Sequence, residues 1–239
     1  MEGAVATFVL VSGAWLGGWC WRRGPPPLRA AGHAVYTPTL TGLGERVHLA
    51  TPEVGLETHV TDVLNVLAFE DLRDVTLLGH SYAGIVAGCV AARVPDRVAR
   101  LVYLAASVPV HGRSSLDEWS PEGRAWIELQ ARERGDGWCW PLPDDLGPLP
   151  VGLTPKDEAW LRAKATPQPL RTMAEPARLI STAGAGIPRA FIHCTMDGST
   201  LPEVVVEEGW PVHRIDTGHW PMISAPRELA AMLARIAAP

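Results

Sequence analysis

The chain has 239 residues, of which 47% are hydrophobic and 20% charged, with 23 glycines and 22 prolines. A chain of this length forms one large or two small domains, and its composition excludes a disordered chain, a coiled coil and a collagen-like repeat. The net charge is −5 at pH 7, so the composition does not indicate a basic surface that would bind nucleic acid or an anionic membrane.

Strand-like and helix-like segments alternate at both ends of the chain. Apolar runs predict strands at residues 7–12, 34–37, 75–78, 98–104, 189–194 and 212–215. Apolar spacing predicts helices at residues 60–67, 83–93 and 203–208, and a last helix with Leu229, Met232, Leu233 and Ile236 on one face. This alternation predicts an α/β fold, in which a mostly parallel sheet is covered by helices on both faces.

The alternation breaks between residues 111 and 187. This segment is rich in Pro and Trp and has helix-like pieces at residues 121–134 and 155–165. It is too long for a plain crossover between strands, so we expect a helical cap inserted over the carboxyl edge of the sheet. The predicted core therefore comprises residues 1–110 and 188–239, and the predicted cap residues 111–187.

Cysteine usage and apolar run length indicate a cytoplasmic protein with no membrane association. The longest apolar runs, residues 4–11 and 83–92, are shorter than the roughly 18–20 residues that a membrane span needs. No basic segment followed by a long apolar region marks a signal peptide. The four cysteines contain no C-x-x-C pair, which favours buried thiols over a disulfide framework or a zinc site.

The strongest chemical signal is the sequence GHSYAG at residues 79–84, between a predicted strand and a predicted helix. A serine on such a sharp turn adopts a strained backbone conformation that exposes its hydroxyl. Only small residues fit two positions before and two positions after the serine, and Gly79 and Ala83 meet this requirement. The usual pattern is G-x-S-x-G, with glycine where this chain has Ala83. Ser81 is therefore the predicted nucleophile.

A serine nucleophile needs a histidine base and a carboxylate that orients the histidine. His219 follows the last predicted strand and precedes the last helix, which places it on a loop at the sheet edge. Asp197 follows the preceding strand, giving the chain order Ser, Asp, His of hydrolases of this type. Asp216 is the competing acid, but its closeness to His219 in sequence favours a local turn. We expect His80, beside the serine, to point elsewhere.

The negative charge that develops on a carbonyl oxygen needs preorganised hydrogen-bond donors. The backbone amide of Tyr82, directly after the serine, is one predicted donor. The other comes from the loop after the first strand, where Gly13 lets the backbone approach closely and Ala14 supplies the amide. The alternative is that residues 13–18 are simply a flexible connection.

Four stretches carry a resemblance to a known family: VLVSGAWLGGWCW, LTGLGERVHL, LLGHSYAG and TGHWPMISAPRELA. With them the chain resembles the α/β-hydrolase superfamily, in particular the group of plant methyl esterases, hydroxynitrile lyases and their bacterial esterase relatives. The resemblance implies an eight-stranded type of core that is short at its N-terminus, a helical cap, and a Ser-Asp-His triad at Ser81, Asp197 and His219.

Two departures from that group bear on function. Relatives commonly carry His-Gly where this chain has Ser12 and Gly13. Hydroxynitrile lyases use a threonine near that loop and a lysine after the catalytic histidine, where this chain has Gly13 and Trp220. Without the positive charge of the lysine nothing stabilises a departing cyanide, so the sequence does not favour a lyase.

The sequence therefore predicts a serine hydrolase that cleaves a small to medium carboxylic ester and needs no cofactor or metal. The wealth of tryptophan favours an apolar or aromatic substrate group, and the predicted lining residues are Trp15, Trp138, Trp140 and Trp220. One alternative is acyl transfer or thioester cleavage by the same serine, with an acyl-carrier protein as partner. Another is a ligand receptor on a hydrolase scaffold. Oligomeric state is not predicted.

Overall fold

A six-stranded parallel sheet forms the centre of the computed structural model, which describes residues 5–179 and 186–238. The strands in chain order are β1 (Thr7–Val11), β2 (Ala34–Tyr36), β3 (Val75–His80), β4 (Val98–Leu104), β5 (Cys139–Trp140), β6 (Gln168–Pro169), β7 (Arg189–Cys194) and β8 (Val212–Ile215). The order across the sheet is β2-β1-β3-β4-β7-β8, with every neighbouring pair parallel. Strands β5 and β6 form a separate antiparallel pair. The predicted parallel α/β fold is confirmed.

Nine α-helices accompany the strands in the described residues. They are α1 (Pro25–Ala30), α2 (Leu56–Phe69), α3 (Ala83–Arg93), α4 (Pro121–Arg134), α5 (Pro155–Lys164), α6 (Leu170–Ala174), α7 (Glu203–Glu207), α8 (Pro221–Ser224) and α9 (Pro226–Ala237). The sequence patterns do not predict α1, α6 and α8, which have six, five and four residues. None of the three completes two turns, so each leaves little helical periodicity, although the equally short α7 lies within the predicted residues 203–208.

Two apolar layers cover the sheet, because successive side chains of a strand point to opposite faces. In β1, Val9 and Val11 pack in the layer that contains α2 and α3. Phe8 and Leu10 pack in the other layer, with buried residues of α1 and α9. The inner strands β1, β3, β4 and β7 are largely buried on both sides, which explains why they read as continuous apolar runs in the sequence.

Strands β4 and β7 are neighbours in the sheet, although the chain between them contains α4, β5, α5, β6 and α6. This detour corresponds to the segment predicted as an inserted cap, and the exact division into core and cap stays a prediction. Residues 1–4 and 239 of the predicted core and residues 180–185 of the predicted cap lie outside the described residues.

The carboxyl ends of the parallel strands meet at one edge of the sheet. The chain turns there from β3 into α3, and the loops after β1, β7 and β8 leave from the same edge. In open α/β sheets this edge is where ligands bind. In the described part of the chain, no helix is long and apolar enough to cross a membrane.

Candidate active site

Ser81 stands on the tight turn between β3 and α3. Its φ of 53° lies in the left-handed region, which side-chain-bearing residues rarely adopt. A Cβ at Gly79 would lie 2.3 Å from the Ala83 carbonyl oxygen, and one at Gly84 would lie 2.2 Å from the Ser107 carbonyl oxygen. The turn therefore requires glycine at these two positions, whereas the Ala83 methyl is accommodated in the buried start of α3.

A chain of hydrogen bonds links Ser81, His219 and Asp197. The Ser81 hydroxyl lies 2.9 Å from His219 Nε2, and His219 Nδ1 lies 3.0 Å from Asp197 Oδ2. A carboxylate accepts only, so Nδ1 carries the proton and Nε2 is free to accept from the serine. Asp216, the competing acid, accepts a hydrogen bond from Thr195 instead.

Asp197 is held as a carboxylate by its hydrogen bonds. Burial alone raises the pKa of this carboxyl, but the hydrogen bonds from the His219 ring and from the hydroxyl and amide of Ser199 outweigh it and lower the pKa to about 2. Sequence reasoning missed Ser199, because an ordinary serine two residues after an aspartate carries no distinctive signal.

The loop after β1 lies directly against the serine. A Cβ at Gly13 would be 2.7 Å from Ser81 Cβ, so the close approach requires glycine. The Gly13 and Trp15 amides donate to the side chains of His80 and Gln168. The amides of Ala14 and Tyr82, the two predicted oxyanion donors, donate to no atom of the described part of the chain.

Gln168 in β6 also holds this loop. Its side chain is fully buried, accepts the Trp15 amide at 3.2 Å and donates to Thr172 at 2.6 Å. The Trp15 indole donates to the Trp140 carbonyl in β5 at 3.0 Å, while the Trp15 backbone has a φ of 64°. The short antiparallel pair therefore fixes the shape of the loop, which sequence reasoning missed.

A cavity of about 820 Å³ opens at Ser81 and His219. One wall comes from residues 105–119, after β4, and another from residues 199–207, which include α7. Its apolar lining includes Ile85, Val108, Trp119, Phe191 and Leu201, and its charged lining includes Arg113, Asp117, Glu118, Glu203 and Glu207. Burial raises the pKa of the Glu118 carboxyl, although the Ser107 hydroxyl donates to it at 2.5 Å.

None of the four tryptophans predicted to bind substrate is among the residues that line this cavity, and their contact with substrate stays a prediction. Trp15 and Trp140 pack against each other with ring centroids 4.4 Å apart and join the loop after β1 to the β5–β6 pair. Trp220 is buried in the apolar layer beside α9. Trp138 is half-buried, and its carbonyl accepts from Leu170. These residues serve packing, and Trp119 lines the cavity in their place.

A parallel sheet with a serine on the turn after its third strand defines the class of α/β hydrolases. The sequence profile of the Alpha/beta hydrolase family matches residues 8–232. The chain belongs to this family.

Similar proteins narrow the class. A carbendazim-hydrolyzing esterase of Nocardioides sp. (strain SG-4G) is 37% identical over 245 residues, which are 97% of this chain and 100% of that protein. Methylesterase 7 of Arabidopsis thaliana is 26% identical over 96% of this chain and 95% of its own. An extracellular alpha/beta-hydrolase from a Paenibacillus species superposes with a TM-score of 0.85 at 25% identity, over 98% of this chain and 99% of that chain. The protein is a carboxylic ester hydrolase.

Proposed function

We propose that Ser81, His219 and Asp197 are the catalytic triad and that the enzyme works through an acyl-enzyme. The Ser81 oxygen attacks the ester carbonyl carbon while its proton moves to His219 Nε2. The Ala14 and Tyr82 amides donate to the resulting oxyanion. The bond to the alcohol oxygen then breaks, and His219 returns its proton to that oxygen as the alcohol leaves.

Water completes the cycle. It attacks the acyl-enzyme carbonyl, His219 Nε2 takes its proton, and the same two amides stabilise the second oxyanion. When the bond to Ser81 breaks, the proton returns to the serine oxygen and the carboxylic acid is released. Asp197 keeps the His219 proton on Nδ1 and stabilises the imidazolium that forms in each half-reaction.

The observation that carries this proposal is the continuous hydrogen-bond chain at the cavity. The distances of 2.9 Å and 3.0 Å, from hydroxyl to ring and from ring to carboxylate, are those that proton transfer from a serine requires. The strained φ of Ser81 supplies independent support, as do the Ala14 and Tyr82 amides, which donate to no atom of the described residues.

The cavity favours a small to medium ester whose acyl or alcohol group is uncharged. Its volume of about 820 Å³ suits such a ligand, and apolar side chains from both walls contact its interior. Four carboxylates and one guanidinium contribute to the described lining, so an anionic substrate meets a repulsive wall. Carbendazim, which the Nocardioides relative hydrolyses according to its name, is a substrate to test.

The test combines active-site labelling with kinetics. We expect a fluorophosphonate to label Ser81, with the modified peptide located by mass spectrometry. We expect Ser81→Ala to abolish labelling and to lower kcat/KM for p-nitrophenyl acetate, butyrate and benzoate by about 10⁴- to 10⁶-fold. The control is Ser120→Ala, which removes an exposed serine at the start of α4 and leaves both readouts unchanged.

Each alternative has its own outcome. Wild-type turnover by Ser81→Ala would overturn the mechanism, and failure of the folded protein to label would favour a ligand receptor. Transfer of the acyl group to an added alcohol or amine in preference to water would indicate an acyltransferase. Faster cleavage of a p-nitrophenyl ester of a dicarboxylic acid than of its neutral counterpart would contradict the inferred charge preference.

A further inference from the structure

His80 occupies the last position of β3 and has no part in the mechanism described above. Its side chain is 1% exposed, and the ring lies between the loop that carries Gly13 and the loop that carries His219. The ring centroids of His80 and His219 are 4.9 Å apart. A buried imidazole in this position needs partners for both of its nitrogens.

Both nitrogens have partners, and the partners fix the tautomer. The Gly13 amide donates to His80 Nδ1 at 3.2 Å, and His80 Nε2 lies 2.8 Å from the His219 carbonyl oxygen. An amide only donates and a carbonyl only accepts, so Nδ1 is unprotonated and Nε2 carries the hydrogen. Burial and the nearby His219 lower the pKa of His80 to about 3, which keeps the ring neutral at physiological pH.

The consequence is geometric. The His80 ring connects the Gly13 amide, which precedes the Ala14 amide, to the backbone carbonyl of His219, the proposed base. His80 itself directly precedes Ser81 in the chain. The His219 amide is held from the other side by the Leu149 carbonyl at 2.9 Å. The relative placement of nucleophile, base and oxyanion donors therefore depends on the two hydrogen bonds of His80.

We propose that His80 is a positioning residue for ester hydrolysis, which holds the oxyanion loop through Nδ1 and the His219 loop through Nε2. The inference rests on the proposed function of Ser81 and His219. A displacement of about 1 Å between reacting groups costs about 100-fold in rate, so these contacts act on kcat and not on substrate affinity.

Three substitutions separate the two halves of the bridge. In His80→Asn the amide oxygen replaces the Nδ1 acceptor while the reach to His219 is lost. In His80→Gln the amide nitrogen replaces the Nε2 donor while the contact with Gly13 is lost. His80→Leu loses both contacts. The control is His33→Asn, since His33 Nδ1 accepts the Ala6 amide at the opposite end of β1.

The readout is kcat per active serine, counted by fluorophosphonate titration, together with KM. We expect kcat per site to fall about 10- to 100-fold in His80→Asn and in His80→Gln and further in His80→Leu, with KM within threefold of wild type. His33→Asn retains the wild-type value. A purely structural role would lower the number of titratable sites and the Tm and leave kcat per site unchanged, which would overturn the proposal.

A measurement on the wild-type protein covers the case in which the variants do not fold. ¹⁵N NMR of the histidine rings is expected to show His80 neutral with the hydrogen on Nε2 between pH 5 and pH 8, and to show its ring signals shift when a boronic acid occupies Ser81. A hydrogen on Nδ1 would overturn the proposal. Ser81→Ala is a separate check on the proposed function, which fails if this variant stays active. If Ser81→Ala is inactive and the His80 variants keep the wild-type kcat per site, only the role of His80 is refuted.

Discussion

Two aspartates lie near His219 in the fold, and their contacts separate them. Asp197 is buried and bonds the ring, whereas Asp216 is exposed and bonds Thr195. Asp197→Asn is expected to lower kcat by about 10³- to 10⁴-fold, because an amide also offers a donor to Nδ1 and permits the wrong tautomer. The measurement is kcat for p-nitrophenyl butyrate.

Asp216→Asn is the matched control, since it makes the same chemical change directly after β8, the strand that pairs with β7 ahead of Asp197. We expect its kcat to stay within threefold of wild type. A larger loss in Asp216→Asn than in Asp197→Asn would assign the acid to the other carboxylate.

Gly79 shows how one missing methyl permits the turn at Ser81. In Gly79→Ala the new Cβ meets the backbone oxygen of Ala83 at 2.3 Å, and backbone cannot rotate away as a side chain can. We expect a loss of stability of about 3 kcal/mol or more and few titratable active sites, measured by urea unfolding and fluorophosphonate labelling. Gly186→Ala is the control, because a Cβ there meets no atom of the described residues within 4 Å and the expected change is under about 0.5 kcal/mol. Equal stability of the two variants would contradict the assigned strain.

The residues that sequence reasoning found and missed differ in a physical way. Ser81, Asp197 and His219 follow the strands β3, β7 and β8, so the predicted order of strands already indicated one edge of the sheet for all three. The bridging role of His80 depends on contacts with residues 67 and 139 positions away, and no local pattern encodes them. The packing of Trp15 against Trp140 was not predicted for the same reason, because spacing does not reveal which face a ring presents.

At the scale of elements, the β5–β6 pair matters through the loop that it holds. Gln168→Leu leaves the buried Trp15 amide without an acceptor and the Thr172 hydroxyl without a donor, at a cost of about 1–3 kcal/mol. The freed loop misplaces the Ala14 amide, so we expect kcat to fall about tenfold or more with KM nearly unchanged. Gln168→Glu is informative as well, since it keeps an acceptor for Trp15 and removes the donor to Thr172.

The measurement compares kcat per titrated site in the two variants. Gln130→Leu is the control, because Gln130 lies on α4 and bonds the exposed Arg134. If Gln168→Leu keeps wild-type kcat per site, the pair has no influence on the oxyanion loop.

Elements differed in how well the sequence predicted them. The predicted strands of the main sheet lie within two residues of the observed ones, since most of them are buried apolar runs between turns. Helix α2 spans Leu56–Phe69 and is longer than the predicted residues 60–67, because the apolar spacing used for the prediction covers only its middle part. The β5–β6 pair has two residues per strand and no alternation, so only tertiary contacts define it. The wall that α7 contributes to the cavity was likewise outside the predicted cap.

For the molecule as a whole, two buried histidines couple folding to pH. His59 is fully buried, with Nε2 donating to the Thr41 carbonyl at 2.8 Å and Nδ1 accepting from the Tyr82 hydroxyl at 3.0 Å. Burial lowers the pKa of His59 to about 4, against the opposing influence of Asp62, and lowers the pKa of His80 to about 3. Both rings are therefore neutral in the folded protein and titrate near 6.5 when unfolded.

The sign of the pH dependence follows from this difference. Between about pH 6.5 and pH 4 the unfolded chain binds protons that the folded chain does not, so acid lowers the free energy of unfolding. Each histidine contributes up to about 1.4 kcal/mol per pH unit in this window.

Urea unfolding of wild type at half-unit steps from pH 7 to pH 4.5 is expected to show this decline in the free energy of unfolding. His59→Gln retains a donor to Thr41 but cannot titrate, so its free energy of unfolding should fall less steeply with decreasing pH, by the effect of about one proton. The free energy of unfolding of the exposed His48→Gln should follow that of wild type. Parallel curves for His59→Gln and wild type would mean that His59 is not held neutral, because a ring that is already charged in the fold takes up no proton on unfolding.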